Sequence, residues 1–219
     1  QRPSSRVQCQ NMALRRIKLL ADRFQRDIDA IATTLEAKLA DVVEFLPSES
    51  KDAQMAIAIG GDGTLIKYGR ELAEQAIPLI GVNSGRLGFL ARFDADSLIE
   101  HRQAVFVETT LILKAMLLEI TVDNHSPMIA MNEAMIAAGA PFRMLELGLS
   151  IDDIPAPTLR GDGVIIATPT GSTAHNASVG GPIVDPSTNA FILTPIAAHS
   201  LAVRPIVLDG KTNITIEVL

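Results

Sequence analysis

A short apolar run, Ala56-Ile57-Ala58-Ile59, stops abruptly at Gly60-Gly61-Asp62-Gly63-Thr64. Small and β-branched residues without polar alternation read as a strand buried on both faces, and the glycines mark its end. Glycine at Gly60, Gly61 and Gly63 permits positive φ and leaves the peptide N–H groups open to a ligand. Those groups can cradle phosphate, helped by the positive end of a helix predicted from Leu65 onward. A carboxylate in a cradle built only for anions would repel them. Asp62 makes chemical sense if it takes the proton from a hydroxyl that attacks a phosphate. The other reading of these residues alone is a tight strand-to-helix turn with Asp62 as N-cap.

The rest of the chain surrounds that turn with more α/β pattern, then with β pattern. Between residues 12 and 46 the apolar residues recur at helical spacing (Leu14, Ile17, Leu20, Phe24, Ile28, Ile31, Leu35, Leu39, Val42). This predicts one long amphipathic helix, or two with a break near Thr33-Thr34; residues 6–10 make a poor strand. Pro47-Ser48-Glu49-Ser50 is a loop, residues 65–75 a helix, and Pro78-Leu79-Ile80-Gly81-Val82 a second buried strand. The first hundred residues are therefore expected to be α/β, with a parallel sheet. Residues 83–90 follow the second strand, where open α/β sheets place ligands, and residues 94–101 suit a short helix. Beyond them the period changes. Strands are predicted at 111–122, 144–151, 163–168, 190–194 and 212–219, the last with Ile214, Ile216 and Val218 on one face. The expectation is an α/β domain over 1–100 and a mostly antiparallel, β-rich domain over 101–219. The sequence stops inside a predicted strand, so its natural C-terminus is expected further on.

Composition removes several classes. A chain of 219 residues that is 47% hydrophobic can build a proper core. A net charge of −6 argues against a general nucleic-acid or anionic-membrane surface, though not against one anionic ligand. Cys9 is the only cysteine, so no intrachain disulfide can form, and the simplest setting is a reducing cytoplasm. No signal peptide is patterned at the start. Residues 190–208 are apolar, but Pro195, His199, Arg204 and Pro205 interrupt them, so no membrane span is expected there.

Three polar clusters punctuate the β-rich half. Asn132-Glu133 breaks an apolar stretch and suits ribose hydroxyls or a base edge, or else a local turn. Arg160-Gly161-Asp162-Gly163 reads as a turn with an ion-pairing Arg. Thr168-Pro169-Thr170-Gly171-Ser172-Thr173-Ala174-His175-Asn176-Ala177-Ser178, followed by Gly180-Gly181-Pro182, offers neutral donors around a helix start, suited to phosphate and sugar oxygens. No Gly-x-x-x-x-Gly-Lys-Ser/Thr, no Gly-x-Gly-x-x-Gly after a strand, no Cys-x-x-Cys and no His-Glu-x-x-His occurs. The four histidines show no metal-ligand spacing, so no protein metal site is expected.

As a set and in this order, Gly60–Thr64, residues 83–90, Asn132-Glu133, and residues 161–173 with Gly180-Gly181-Pro182 resemble the NAD kinase family. His199-Ser200-Leu201 and Arg204-Pro205 are similar to its pattern as well, and the resemblance spans residues 53–219. Gly-Gly-Asp-Gly alone is shared with diacylglycerol-type lipid kinases and 6-phosphofructokinases. The resemblance implies transfer of phosphate from ATP, with magnesium, to the 2′-hydroxyl of the adenosine ribose of NAD, giving NADP. By the family's pattern Asp62 accepts the proton, with Gly63 beside the dinucleotide and Gly60, Gly61, Gly63 and Thr64 toward phosphate. Asn132 and Glu133 would bind adenosine. Thr173, Ala174, His175, Asn176, Ala177, Ser178 and Ala197 would line the NAD site, and Arg143, Arg160 and Asp162 match ligand-contacting positions. The fold implied is a Rossmann-like, phosphofructokinase-like α/β N-terminal domain and an all-β, β-sandwich-like C-terminal domain, in a homodimer or homotetramer; the acidic charge argues against nucleic-acid or membrane partners. His175 stands where the family most often has Tyr. The family's opening strand is not visible before Met12, and its final segment is not in this sequence. ATP or polyphosphate as donor, and NAD or NADH as acceptor, stay open. The competing readings are a diacylglycerol-type lipid kinase, which needs an apolar groove or basic face, and a catalytically silent NAD-binding module.

Overall fold

A computed structural model describes residues 14–85, 88–108, 112–141, 143–200 and 203–219. Cys9, Arg86, Leu87, Leu111 and Leu201 lie outside the described residues, as does the whole segment before Leu14. The chain divides into two compact units, one ending at Ile112 and one starting at Leu113.

The first unit contains β1 (Arg15–Leu20), α1 (Arg26–Leu39), β2 (Val43–Leu46), β3 (Met55–Ile59), α2 (Asp62–Ala73), β4 (Leu79–Val82), α3 (Ala95–Glu100) and α4 (Arg102–Phe106). Its strands lie in the order β2-β1-β3-β4, and every pair is parallel. All five residues of β3 are buried, as a strand covered on both faces requires. Ile28, Ala32, Leu35 and Leu39 form the buried stripe of α1 and pack with Ile17, Ile57, Ile59 and Val82 of the sheet. The chain leaves β1 toward β2 on one side and reaches β3 on the other. In open α/β sheets such a reversal marks where ligands bind, beyond the carboxyl ends of the strands, and the glycine turn follows β3 at that point.

The helix expected over 12–46 is corrected here to strand, helix, strand. Leu14, Ile17 and Leu20 mimic helical spacing, but residues 15–20 form a central strand of the sheet. Lys18 hides the strand signal. Its side chain is buried, with Nζ donating to the Ser50 carbonyl at 3.5 Å and Gln75 Oε1 at 3.2 Å. The break expected at Thr33-Thr34 falls inside α1, where the Thr34 hydroxyl donates to the Ala30 carbonyl. Helix α2 begins at Asp62 rather than Leu65.

The second unit is all β apart from one turn region. It holds β5 (Leu118–Ile120), β6 (Met128–Ala130), β7 (Glu133–Ala137), β8 (Leu145–Ile151), β9 (Ile154–Gly161) and β10 (Gly163–Ala167). A 3-10 turn (Thr170–Thr173), α5 (His175–Ser178), β11 (Ala190–Ile196), β12 (Ile206–Asp209) and β13 (Ile214–Val218) follow. The sheets are β12-β11-β10-β7, β13-β8-β9 and β5-β6, antiparallel throughout. Alternation along β10 divides the interior. Val164 and Ile166 join Leu118, Leu147, Leu159 and Leu193 on one face. Ile165 and Ala167 meet Ile192, Val179 and Val184 on the other. The α/β half followed by an antiparallel half agrees with the sequence reading.

Two local expectations change. Of residues 112–122 only 118–120 form a strand, because β6 offers just three partners and Ile112 and Leu113 stay exposed. Arg160 and Gly161 close β9 rather than forming a turn. Asp162 is the single residue before β10, and its N–H donates to the Ile196 carbonyl at 2.9 Å.

Candidate functional site

In the first unit the glycine turn places Asp62 at the first position of α2, after Gly61. Asp62 is not the N-cap. Its side chain makes no cap bond and instead accepts from Phe89 N–H at 2.9 Å (Oδ2) and Leu90 N–H at 3.1 Å (Oδ1). Gly60 is buried against Thr64, whereas a Cβ on Gly61 or Gly63 would meet nothing within 4 Å. The open side of the turn is thus lined by backbone at Gly61 and Gly63, at the positive end of a twelve-residue helix.

In the second unit the start of β7 and the loop after β10 form one construction. Glu133 pairs with Ala167 in register. Thr168 N–H donates to the Asn132 carbonyl at 2.8 Å, and the Thr168 hydroxyl donates to the Met131 carbonyl at 2.7 Å while accepting from Gly171 N–H. Gly171 lies so close that a Cβ there would run into the backbone of Asn132. The hydroxyl-rich loop is therefore less free than its composition suggests. Thr168 and Ser172 are fully buried and already hydrogen-bonded, Ser172 donating to the Pro169 carbonyl at 2.6 Å and accepting from Val184 N–H at 3.1 Å. Asn176 is also fully buried. Its amide donates to the carbonyls of Ser172 and Pro182, and its oxygen accepts from Thr194. The Asn176 side chain holds the loop in shape. Thr170, Thr173, Ala174, His175, Ala177 and Ser178 are the members left partly or fully exposed.

Two polar atoms break the rule that buried groups are paired. Asn132 Oδ1 and Glu133 Oε2 are buried and have no hydrogen-bond partner among the described residues. Burial pushes the Glu133 carboxyl above its ordinary range, and nearby His175 acts weakly the other way. Both orphaned atoms are acceptors, so the construction fits a ligand carrying O–H or N–H donors.

Arg160, Asp162 and Ala197 gather elsewhere in this unit. His199 N–H donates to the Arg160 carbonyl at 2.8 Å, and Gly161 backs onto the Ile196 and Ala197 carbonyls. Ala197 itself has a left-handed backbone at φ 46°, a strained conformation of the kind found at ligand sites. This group lies at the Gly163 end of β10 and the Asn132–Glu133 group at its Ala167 end, about 13 Å apart at an extended strand's rise. Arg160 pairs with Glu146 at 2.7 Å, both side chains well exposed, and Arg143 is exposed. Sequence reading missed the Phe89 and Leu90 amides and Thr194. Backbone donors carry no residue signature, and Thr194 looks like any strand threonine. Among the described residues no three acidic, His or Cys side chains come together as a metal site, and no helix is long and apolar enough to cross a membrane.

Two family models match, the ATP-NAD kinase N-terminal domain over residues 7–110 and the ATP-NAD kinase C-terminal domain over residues 131–219. The NAD kinase of Methanothermobacter thermautotrophicus is 39% identical over 194 residues, covering 86% of this chain and 68% of that protein. The chain belongs to the NAD kinase family. The Desulforamulus reducens NAD kinase is 40% identical over 164 residues, covering 73% of this chain and 57% of its own, so this chain spans roughly three-fifths of such relatives. Among solved structures, an NAD kinase from Archaeoglobus fulgidus in complex with ATP superposes at a TM-score of 0.74 with 26% identity, over 94% of this chain and 81% of that one. A yeast NADH kinase complexed with NADH shares the fold, with a TM-score of 0.77 and 23% identity, over 95% and 69% of the two chains. For a chain of the NAD kinase family, the two orphaned acceptors and the clamped aspartate are the features its chemistry has to explain.

Proposed function

We propose that this chain transfers the γ-phosphate of ATP to the 2′-hydroxyl of the adenosine ribose of NAD, giving NADP, with Asp62 accepting the hydroxyl proton. The observation that carries this reading is the pair of buried, unpartnered acceptors, Asn132 Oδ1 and Glu133 Oε2. Leaving such groups unpaired costs about 1–3 kcal/mol each, a cost that a ribose diol or an exocyclic amine would remove on binding. Membership of the family supports the choice of NAD, and the ATP complex of the Archaeoglobus relative supports the donor.

Each residue then has a task. A ribose hydroxyl is a weak nucleophile, and a positioned carboxylate such as Asp62 speeds its attack by about 10²–10⁴-fold. The open backbone at Gly61 and Gly63, with Gly60 and Thr64 behind it, faces phosphate oxygens at the start of α2. Asn132 and Glu133 hold adenosine, and the exposed loop members Thr173, Ala174, His175, Ala177 and Ser178 lie along the dinucleotide, with Asn176 fixing their backbone. Arg143, Arg160, Asp162 and Ala197 contribute further ligand contacts. Magnesium would be held by ATP phosphate oxygens, where it neutralises charge on the transferred group. The same reading makes the protein a cytoplasmic homodimer or homotetramer working in NADP biosynthesis.

The deciding experiment incubates the chain with NAD, ATP and magnesium and measures NADP with an NADP-specific dehydrogenase. Steady production supports the proposal. NAD binding without NADP would leave a silent binding module, and phosphorylation of diacylglycerol in place of NAD would leave a lipid kinase. Polyphosphate and NADH are tested in the same assay as alternative donor and acceptor.

A further inference from the structure

The Asp62 carboxylate is tied to a segment 27 residues further along the chain. Parallel pairing of β3 with β4 aligns Ile59 with Val82, and Gly60 N–H donates to the Val82 carbonyl at 2.9 Å, so the turns after the two strands emerge side by side. The second turn folds back through Asn83 N–H to the Phe93 carbonyl at 2.8 Å and Gly85 N–H to Asn83 Oδ1 at 3.1 Å. It then lays two successive amides on the two carboxylate oxygens of Asp62, one on each.

That approach requires residue 88 to lack a side chain. A Cβ built on Gly88 falls 2.7 Å from Asp62 Cγ and 2.9 Å from Oδ2, closer than such atoms pack. The Phe89 side chain is 80% exposed, so burial of its ring does not hold the segment down. One N–H per oxygen fixes both the direction and the plane of the carboxylate. Each oxygen can accept more than one hydrogen bond, which leaves capacity for an incoming hydroxyl.

We propose that Gly88 is a positioning residue: by carrying no side chain it lets the Phe89 and Leu90 amides clamp the Asp62 carboxylate in the orientation that receives the substrate proton. The proposal rests on Asp62 as proton acceptor, and it places the effect on the chemical step rather than on dinucleotide binding. Misplacing a reacting group by about 1 Å is enough to lower a rate about 10²-fold.

The test compares wild type, Gly88→Ala and Asp62→Ala by amide hydrogen exchange, and wild type with Gly88→Ala by steady-state kinetics. Exchange at Phe89 and Leu90 is expected to quicken by about tenfold or more in both variants, while Val82 and the α2 amides keep their wild-type rates. Gly88→Ala is expected to lower kcat by about 10- to 100-fold and leave the KM for NAD within about threefold. Equal exchange at Phe89 and Leu90 in wild type and Asp62→Ala overturns the clamp, and that comparison decides even if Gly88→Ala does not fold. A folded Gly88→Ala with wild-type kcat overturns the positioning role. A wild type that makes no NADP refutes the phosphoryl-transfer reading instead, and the exchange comparison still decides the clamp.

Discussion

Thr194 donates its hydroxyl to Asn176 Oδ1 at 2.6 Å, and both side chains are completely buried. The bond ties the short helix α5 to the central strand β11, while the Asn176 amide gathers the carbonyls of Ser172 and Pro182. Asn176→Ala strips three partners at once, the Ser172 carbonyl and the Thr194 hydroxyl in buried bonds and the Pro182 carbonyl in a part-buried one. The expected loss is about 2–4 kcal/mol, since each buried group left unpaired costs about 1–3 kcal/mol and the loop can relax. Thr194→Val removes one donor and should lose about 1 kcal/mol. Urea unfolding of the two variants measures both values; an Asn176→Ala as stable as wild type would show that the loop keeps its shape without this anchor.

Glu133 predicts a trade between stability and binding. Burial raises its carboxyl above the ordinary glutamate range, so the folded chain holds the proton more tightly than the unfolded chain. That contribution is fully present below about pH 4.5 and is lost as pH rises through the raised folded value. At neutral pH the ionised carboxylate is therefore a burden in the ligand-free protein. Glu133→Gln should raise the melting temperature at pH 7.5 by no more than about 3 °C, because the group is only half-buried, and the gap should close near pH 4. The same variant should bind NAD about 10- to 100-fold more weakly. Melting scans at the two pH values and calorimetric titration with NAD are the measurements, and a gap that widens in acid would contradict the burial argument.

The residues that sequence reading placed well are those whose local pattern and tertiary role agree. All five positions of β3 are apolar because both faces are covered, so run length alone betrays the strand, and the glycines after it mark the turn. β1 fails the same test. It is central, but Arg15, Arg16 and Lys18 break its apolar run, and the buried lysine is satisfied by Ser50 and Gln75, far away in sequence. The candidate site divides similarly. Asn132-Glu133 stands out as a polar break in an apolar stretch, and the structure leaves both side chains with an unmatched acceptor. The hydroxyls of Thr168 and Ser172 look equally available in sequence, yet backbone carbonyls of Met131 and Pro169 already engage them. Composition counts donors and cannot show which ones the fold has already engaged.

Asp62→Asn tests the proton acceptor with the least change in shape. The amide cannot take the proton, and turnover should fall by at least about 10²-fold. One further consequence follows from the clamp. Asn has a single acceptor oxygen, so either Phe89 N–H or Leu90 N–H would face an NH₂ donor, and the segment should loosen on that side. NAD affinity, measured by calorimetry, should stay within about threefold of wild type. A turnover near wild type in the NADP assay would end the proton-acceptor role.

Arg160 separates a structural ion pair from a ligand contact. Its bond to Glu146 is short, at 2.7 Å, but the two side chains are 59% and 43% exposed. Exposed pairs are worth about 0–1 kcal/mol, so Arg160→Ala should shift the urea midpoint little, and Glu146→Gln equally little. If the guanidinium also meets the dinucleotide, its removal deletes a charge-assisted hydrogen bond worth about 1.5–3 kcal/mol in binding, about a 10- to 100-fold rise in KM for NAD. Glu146→Gln keeps Arg160 and should leave that KM within about threefold. Kinetics on the two variants therefore give opposite answers for the two roles: equal KM values for Arg160→Ala and wild type would reduce Arg160 to a surface partner of Glu146.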